Sequence, residues 1–96
     1  LALSASRLSA ALMPVSTATP ALTLYGTPGC HLCDVAEVLL APLSGARGVS
    51  WQYIDIALDE ALVVRYGEHI PVLCNSAGDE LRWPFSLLDA LKLVQR

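Results

Sequence analysis

The chain has 96 residues, of which 54% are hydrophobic and 16% charged, with a formal net charge of −3. These values fit one small domain with a packed core and argue against general disorder. There is no basic run and no Lys/Arg–aromatic interleaving, so nucleic-acid binding is not expected, and no apolar run approaches the ~18 residues of a membrane span.

Residues 1–20, "LALSASRLSAALMPVSTATP", are rich in Ala, Ser, Thr and Leu and carry one Arg and no acid. The expectation is a disordered or non-native extension, with Met13 as a natural start. A targeting segment is the second reading, opposed by the breaks at Ser9 and Pro14 and by the single positive charge. The expected domain is 21–96.

"ALTLY" reads as a first strand, with Leu22 and Leu24 on one face and Thr23 and Tyr25 on the other. "GTPG" is a turn cluster. The run "CHLCDVAEVLLAPL" predicts an amphipathic helix from about Cys30, with Leu32, Val35, Ala36, Leu39, Leu40 and Leu43 on its apolar stripe. The glycines of "SGARG" are expected to end it. "VSWQYIDI" (49–56) alternates and reads as a second strand. "EALVVRY" follows as a short helix, capped by Asp55 or Asp59 and ended by Gly67. "IPVLCN" (70–75) and "ELRW" (80–83) read as a hairpin joined by "SAGD". In the closing helix, Leu87, Leu88, Leu91 and Val94 have helical spacing, and Ser86 and Asp89 have the form of a capping box.

The order is βαβαββα. A helix between the first two strands makes them parallel with a right-handed crossover. The expected fold is α/β, a four-stranded mixed sheet with helices on its faces.

Cys30 and Cys33 form a CxxC at the strand–turn–helix junction, and Cys74 is the third cysteine. Three is an odd count and too few for a disulfide-stapled secreted scaffold, so a reducing, cytoplasmic setting is expected. In that setting a CxxC binds metal or does redox chemistry. A structural disulfide closing so short a loop gains little.

The stretches "LYGTPGCHLCD", "YIDI", "IPVL" and "WPF" resemble a glutaredoxin-like group of small bacterial proteins in the thioredoxin superfamily. The resemblance covers residues 21–96. It implies a thioredoxin-like fold and a thiol–disulfide oxidoreductase acting in electron transport. Cys30 would be the nucleophile, favoured as thiolate by the helix N-terminus, and Cys33 would resolve the mixed disulfide, leaving a Cys30–Cys33 redox-active disulfide. A protonated His31 would further favour the thiolate. Pro71 would follow a cis bond and face the pair, with the Ile70 main chain pairing with an extended substrate. Ile70, Pro71, Tyr25 and His31 are thus the expected substrate-contacting residues.

The implied partner is a disulfide-containing protein or glutathione, the expected state is a monomer, and no metal or organic cofactor is implied. Glutathione is doubtful as direct reductant. Where glutathione-using relatives have a Gly-Gly-Cys/Ser-Asp type turn before the last helix, this chain reads "ELRWPFSLLD". Two alternatives stay open. One is a zinc or iron–sulfur site recruiting His31, His69 or Cys74. The other is a non-catalytic thioredoxin-fold binding module. Cys74 is expected to be buried and inert, and Trp83 and Phe85 to be core or rim hydrophobes.

Overall fold

Alternation along the first strand decides which helices lie on which side of the sheet. The computed structural model describes residues 20–96. Nearly all of the expected N-terminal extension therefore lies outside the described residues. Strand β1 (Leu22–Gly26) leads into helix α1 (His31–Ala46), and β2 (Trp51–Asp55) into a single 3-10 turn (Ile56–Leu58) and helix α2 (Glu60–Tyr66). The hairpin β3 (Val72–Asn75) and β4 (Glu80–Arg82) is followed by helix α3 (Leu87–Val94).

The sheet order is β2-β1-β3-β4. β1 and β2 are parallel with Leu24 opposite Tyr53, whereas β3 is antiparallel to both β1 and β4. β1 is therefore an inner strand with partners on both sides. This is the mixed α/β sheet of the thioredoxin-like fold.

Side chains alternate across a strand, so one face collects Leu22, Leu24 and Leu73. They pack with Ala36, Leu40 and Leu43 of α1 and with Ala90 and Leu93 of α3. Full burial of each such leucine contributes about 1.5–3 kcal/mol. The other face collects Tyr25, Val72 and Cys74 under Ile56, Leu62 and Tyr66. α1 and α3 thus cover one side and α2 the other.

The helices differ from expectation in register and length. On α1 the buried residues are Cys33, Ala36, Leu40 and Leu43, while Leu32 and Val35 are exposed. The buried stripe includes Cys33, which an apolar count passes over in favour of its larger neighbours. α1 also runs past Ser44 and Gly45, because Leu43 is buried and anchors the last turn. The chain leaves through Gly48, which takes a φ of 66°. Leu88 points outward, and Ala90 fills the core position instead, where α3 closes on the sheet. The capping box forms, with the Ser86 hydroxyl accepting from Asp89 N–H and the Asp89 carboxylate accepting from Ser86 N–H. Asp55 and Asp59 both cap, one the 3-10 turn and the other α2.

Candidate active site

Thr27, Pro28, Gly29 and Cys30 form the turn between β1 and α1. Cys30 N–H donates to Thr27 O at 3.3 Å, and Gly29 has a φ of 85°. Proline in the second position and a positive-φ glycine in the third are what a type II turn requires. The turn delivers Cys30 to the N-cap of α1, where its Sγ accepts the Cys33 N–H at 3.2 Å. Free N–H groups of a helix's first turn favour an anion, so the reduced Cys30 sulfur sits where a thiolate is stabilised.

Cys30 and Cys33 are joined in a disulfide, with Cα atoms 5.2 Å apart. Their exposure differs. Cys30 is half-buried at the surface, whereas Cys33 is 0% exposed and lies against the sheet. Gly26 makes that position available, since a Cβ added there would lie 3.0 Å from Cys33 Sγ and 2.8 Å from Tyr53 Oη. Beside it, the Thr27 hydroxyl donates to Asp55 Oδ1 at 2.9 Å and ties the Thr27–Cys30 turn to the end of β2.

The Ile70–Pro71 peptide is cis, and so is Trp83–Pro84. In the antiparallel ladder Tyr25 pairs with Val72, so one further step sets Pro71 opposite Gly26, on which Cys33 rests. Pro71 is fully buried, and its carbonyl accepts Trp83 N–H at 3.3 Å. The Ile70 N–H is engaged by Tyr66 O at 3.1 Å. His31 is exposed at the start of α1, between the two cysteines.

Tyr25 is not brought to the pair. It lies on the opposite face of the sheet, stacked on Tyr66 with ring centroids 4.6 Å apart. An odd–even difference in strand position separates it from Gly26, although the two are adjacent in sequence. Cys74 is on that far face too, buried with its Sγ 3.7 Å from Tyr66 Oη. Burial pushes its thiol up and keeps it protonated. It is thus remote from the CxxC as a third metal ligand. Among the described residues no three His, Cys, Asp or Glu side chains come together to hold a metal.

Three residues of the site carry no cue in motif spacing: Gly26, Tyr53 and Asp55. The alternation of "WQYIDI" is the signal that could have found the last two, since it puts Trp51, Tyr53 and Asp55 on one face. Burial, and then the carboxylates Glu37, Asp55 and Asp34, push the Tyr53 phenol up, so it remains neutral.

The fold and the paired cysteines define a glutaredoxin-like protein of the thioredoxin superfamily. The glutaredoxin-like domain (DUF836) matches residues 21–92. The chain belongs to this family. It is similar to target protein XcR50 from X. campestris, whose X-ray structure superposes with a TM-score of 0.65 at 37% identity, covering 78% of this chain and 96% of that one. The solution structure of XcR50 gives a TM-score of 0.63 at 40% identity over 78% and 92% of the two chains. Protein Ne2328 from Nitrosomonas europaea, solved by NMR, gives 0.62 at 26% identity over 79% and 93%. No curated protein matches the chain. Among the described residues no helix is long and apolar enough to cross a membrane.

Proposed function

We propose that this domain is a dithiol thiol–disulfide oxidoreductase working through Cys30 and Cys33. The observation that carries the reading is the asymmetry of the pair: an accessible sulfur at a helix N-cap and a buried sulfur one turn further in. In the reduced protein the Cys30 thiolate attacks one sulfur of a substrate disulfide, forms a mixed disulfide and expels the first substrate thiolate. Cys33 then loses its proton and attacks Cys30 Sγ. The Cys30–Cys33 bond forms, the bond from Cys30 to the substrate breaks, and the second thiolate leaves. The substrate gains two electrons and the protein loses two.

The substrate is a protein disulfide or a glutathione mixed disulfide. Pro71, opposite Gly26, and the Ile70 carbonyl form the edge against which an extended segment aligns, with exposed His31 beside it. Tyr25 has no contact role at this site. No organic cofactor takes part in the exchange. The working form is a monomer in a reducing compartment such as the cytoplasm.

Two single substitutions test this in a disulfide-reduction assay. Cys30→Ser abolishes turnover, and Cys33→Ser accumulates a covalent mixed disulfide with the substrate. Full activity in Cys30→Ser overturns the mechanism. Titration in thiol buffers is expected to show a reversible two-electron transition between roughly −280 and −150 mV, the range of working oxidoreductases.

A further inference from the structure

Gly26 has no side chain, and two groups from different elements turn toward the space this leaves. A methyl on it would lie 2.8 Å from Tyr53 Oη, 3.0 Å from Cys33 Sγ and 3.1 Å from Cys33 Cβ. The phenol oxygen and the buried sulfur therefore border one small space, from β2 and α1 respectively. Tyr53 reaches it from β2, where it is opposite Leu24 and packs against the main core. Its ring is fixed at the base and its hydroxyl is the free end. Asp55, the next residue on the same face, is already engaged by the Thr27 hydroxyl and the Ala57 N–H. Among the described residues no side chain or backbone group hydrogen-bonds the Tyr53 hydroxyl.

Resolution asks for something difficult at this point. Cys33 is fully buried, and a thiolate away from water is costly unless a donor faces it. Resting on the exchange mechanism above, we propose that Tyr53 is a positioning residue for the resolving step, its hydroxyl donating a hydrogen bond to Cys33 Sγ whenever the disulfide is open. That bond holds the sulfur below Cys30 and stabilises the thiolate that attacks the mixed disulfide. The proton released by Cys33 ends, through solvent, on the departing substrate thiolate.

Tyr53 is a donor in this step and not a base. The ionisable groups around it are Glu37 and Asp34 from α1 and Asp55 from β2, all carboxylates, and burial first and then these charges push the phenol up and keep it protonated. The carboxylates also oppose a nearby thiolate, which makes the single donor matter more. β1 and the turn after it contribute only the uncharged Gly26 and Thr27.

The test uses the reduced protein and dithiobisnitrobenzoate, an aromatic disulfide that releases a coloured thiolate. Attack by Cys30 releases one thiolate and resolution by Cys33 releases a second, so the two steps are read as two phases. Tyr53→Phe keeps the ring and removes the hydroxyl. It is expected to leave the first phase unchanged and slow the second about tenfold, the scale of a lost hydrogen bond to a charged group. The pH midpoint of the second phase rises by about one unit. In Cys30→Ser, where Cys33 is unpaired, adding Tyr53→Phe raises the Cys33 midpoint in a thiolate-absorbance titration by the same amount. A second phase with wild-type rate and midpoint, or equal slowing of both phases, overturns the proposal. A wild-type protein that releases nothing in the first phase overturns the exchange mechanism, and the role of Tyr53 falls with it.

Discussion

Replacing Gly26 by alanine would put a methyl group into a space already shared by two side chains. The added carbon would stand 2.8 Å from Tyr53 Oη, 3.0 Å from Cys33 Sγ and 3.1 Å from Cys33 Cβ. Favourable heavy-atom separations are about 3.5–4.0 Å, so all three contacts are repulsive. Overpacking of this kind costs about 1–3 kcal/mol. The less flexible unfolded chain of an alanine variant returns about 0.4–1 kcal/mol. A net loss of about 1–2 kcal/mol is expected in the oxidised protein. The reduced protein should lose less. In the disulfide the Cys33 sulfur is tied to Cys30 and has nowhere to turn, whereas the free thiol can rotate away from the methyl. If that relief is about 1 kcal/mol, linkage requires the couple to become more oxidising by about 20 mV. Urea unfolding of both redox forms, together with a potential titration, measures the two quantities independently. Equal destabilisation of the two forms with an unmoved potential would refute the claim that Gly26 makes room for the sulfur of Cys33.

Three further outcomes are expected. Leu24→Ala, at a fully buried position on an inner strand, should lose about 2–5 kcal/mol in urea unfolding; a loss under about 1 kcal/mol would mean the core is not centred there. Ser86→Ala removes the acceptor for Asp89 N–H and should lower stability by about 1 kcal/mol, seen as a lower midpoint with an unchanged denaturant slope. The Tyr66 hydroxyl, and after it Arg65, holds the Glu80 carboxyl below its ordinary range. A depressed folded value stabilises the protein above the unfolded value of about 4.3, and the gain is lost as pH falls through the folded value. The lead of wild type over Glu80→Gln should therefore shrink as pH drops below about 4.3 in acid unfolding curves, and a constant lead would count against the Tyr66–Glu80 contact.

The order of elements was legible because each carries its own local signal. "GTPG" specifies a turn whatever surrounds it, and Ser86 with Asp89 marks a helix start within four residues. Element edges were less legible. Strand β3 begins at Val72 and not at Ile70, because Ile70 N–H is drawn to Tyr66 O at the end of α2. That contact is tertiary and has no trace in the strand's own pattern. The site divides in the same way. Cys30, Cys33 and Pro71 are recognisable from spacing and neighbours. Gly26 is not, since its importance lies in what two distant side chains do with the room above it. Tyr25 shows the opposite failure, being next to the turn in sequence and across the sheet in space.

That division by the sheet separates the third cysteine from the Cys30–Cys33 pair. Alternation along β1 and β3 sends Gly26 and Leu73 to the side of the CxxC, and Tyr25 and Cys74 to the other. Cys30 meets the N–H groups at the start of α1, which stabilise a sulfur anion, and Cys33 borders the room above Gly26 that it shares with Tyr53. Cys74 meets apolar Val72 and Ile56 under Tyr66, whose hydroxyl is already committed to Glu80 at 2.7 Å. Burial keeps its thiol protonated, and a thiol is a poor nucleophile. The backbone of the sheet stands between it and the Cys30–Cys33 pair. A shift of one residue in the register of β3 would send Cys74 to the other face. The register is held by Leu73, which must stay opposite Leu24 in the core. The apolar packing that stabilises the fold is therefore also what keeps the third thiol away from the Cys30–Cys33 pair.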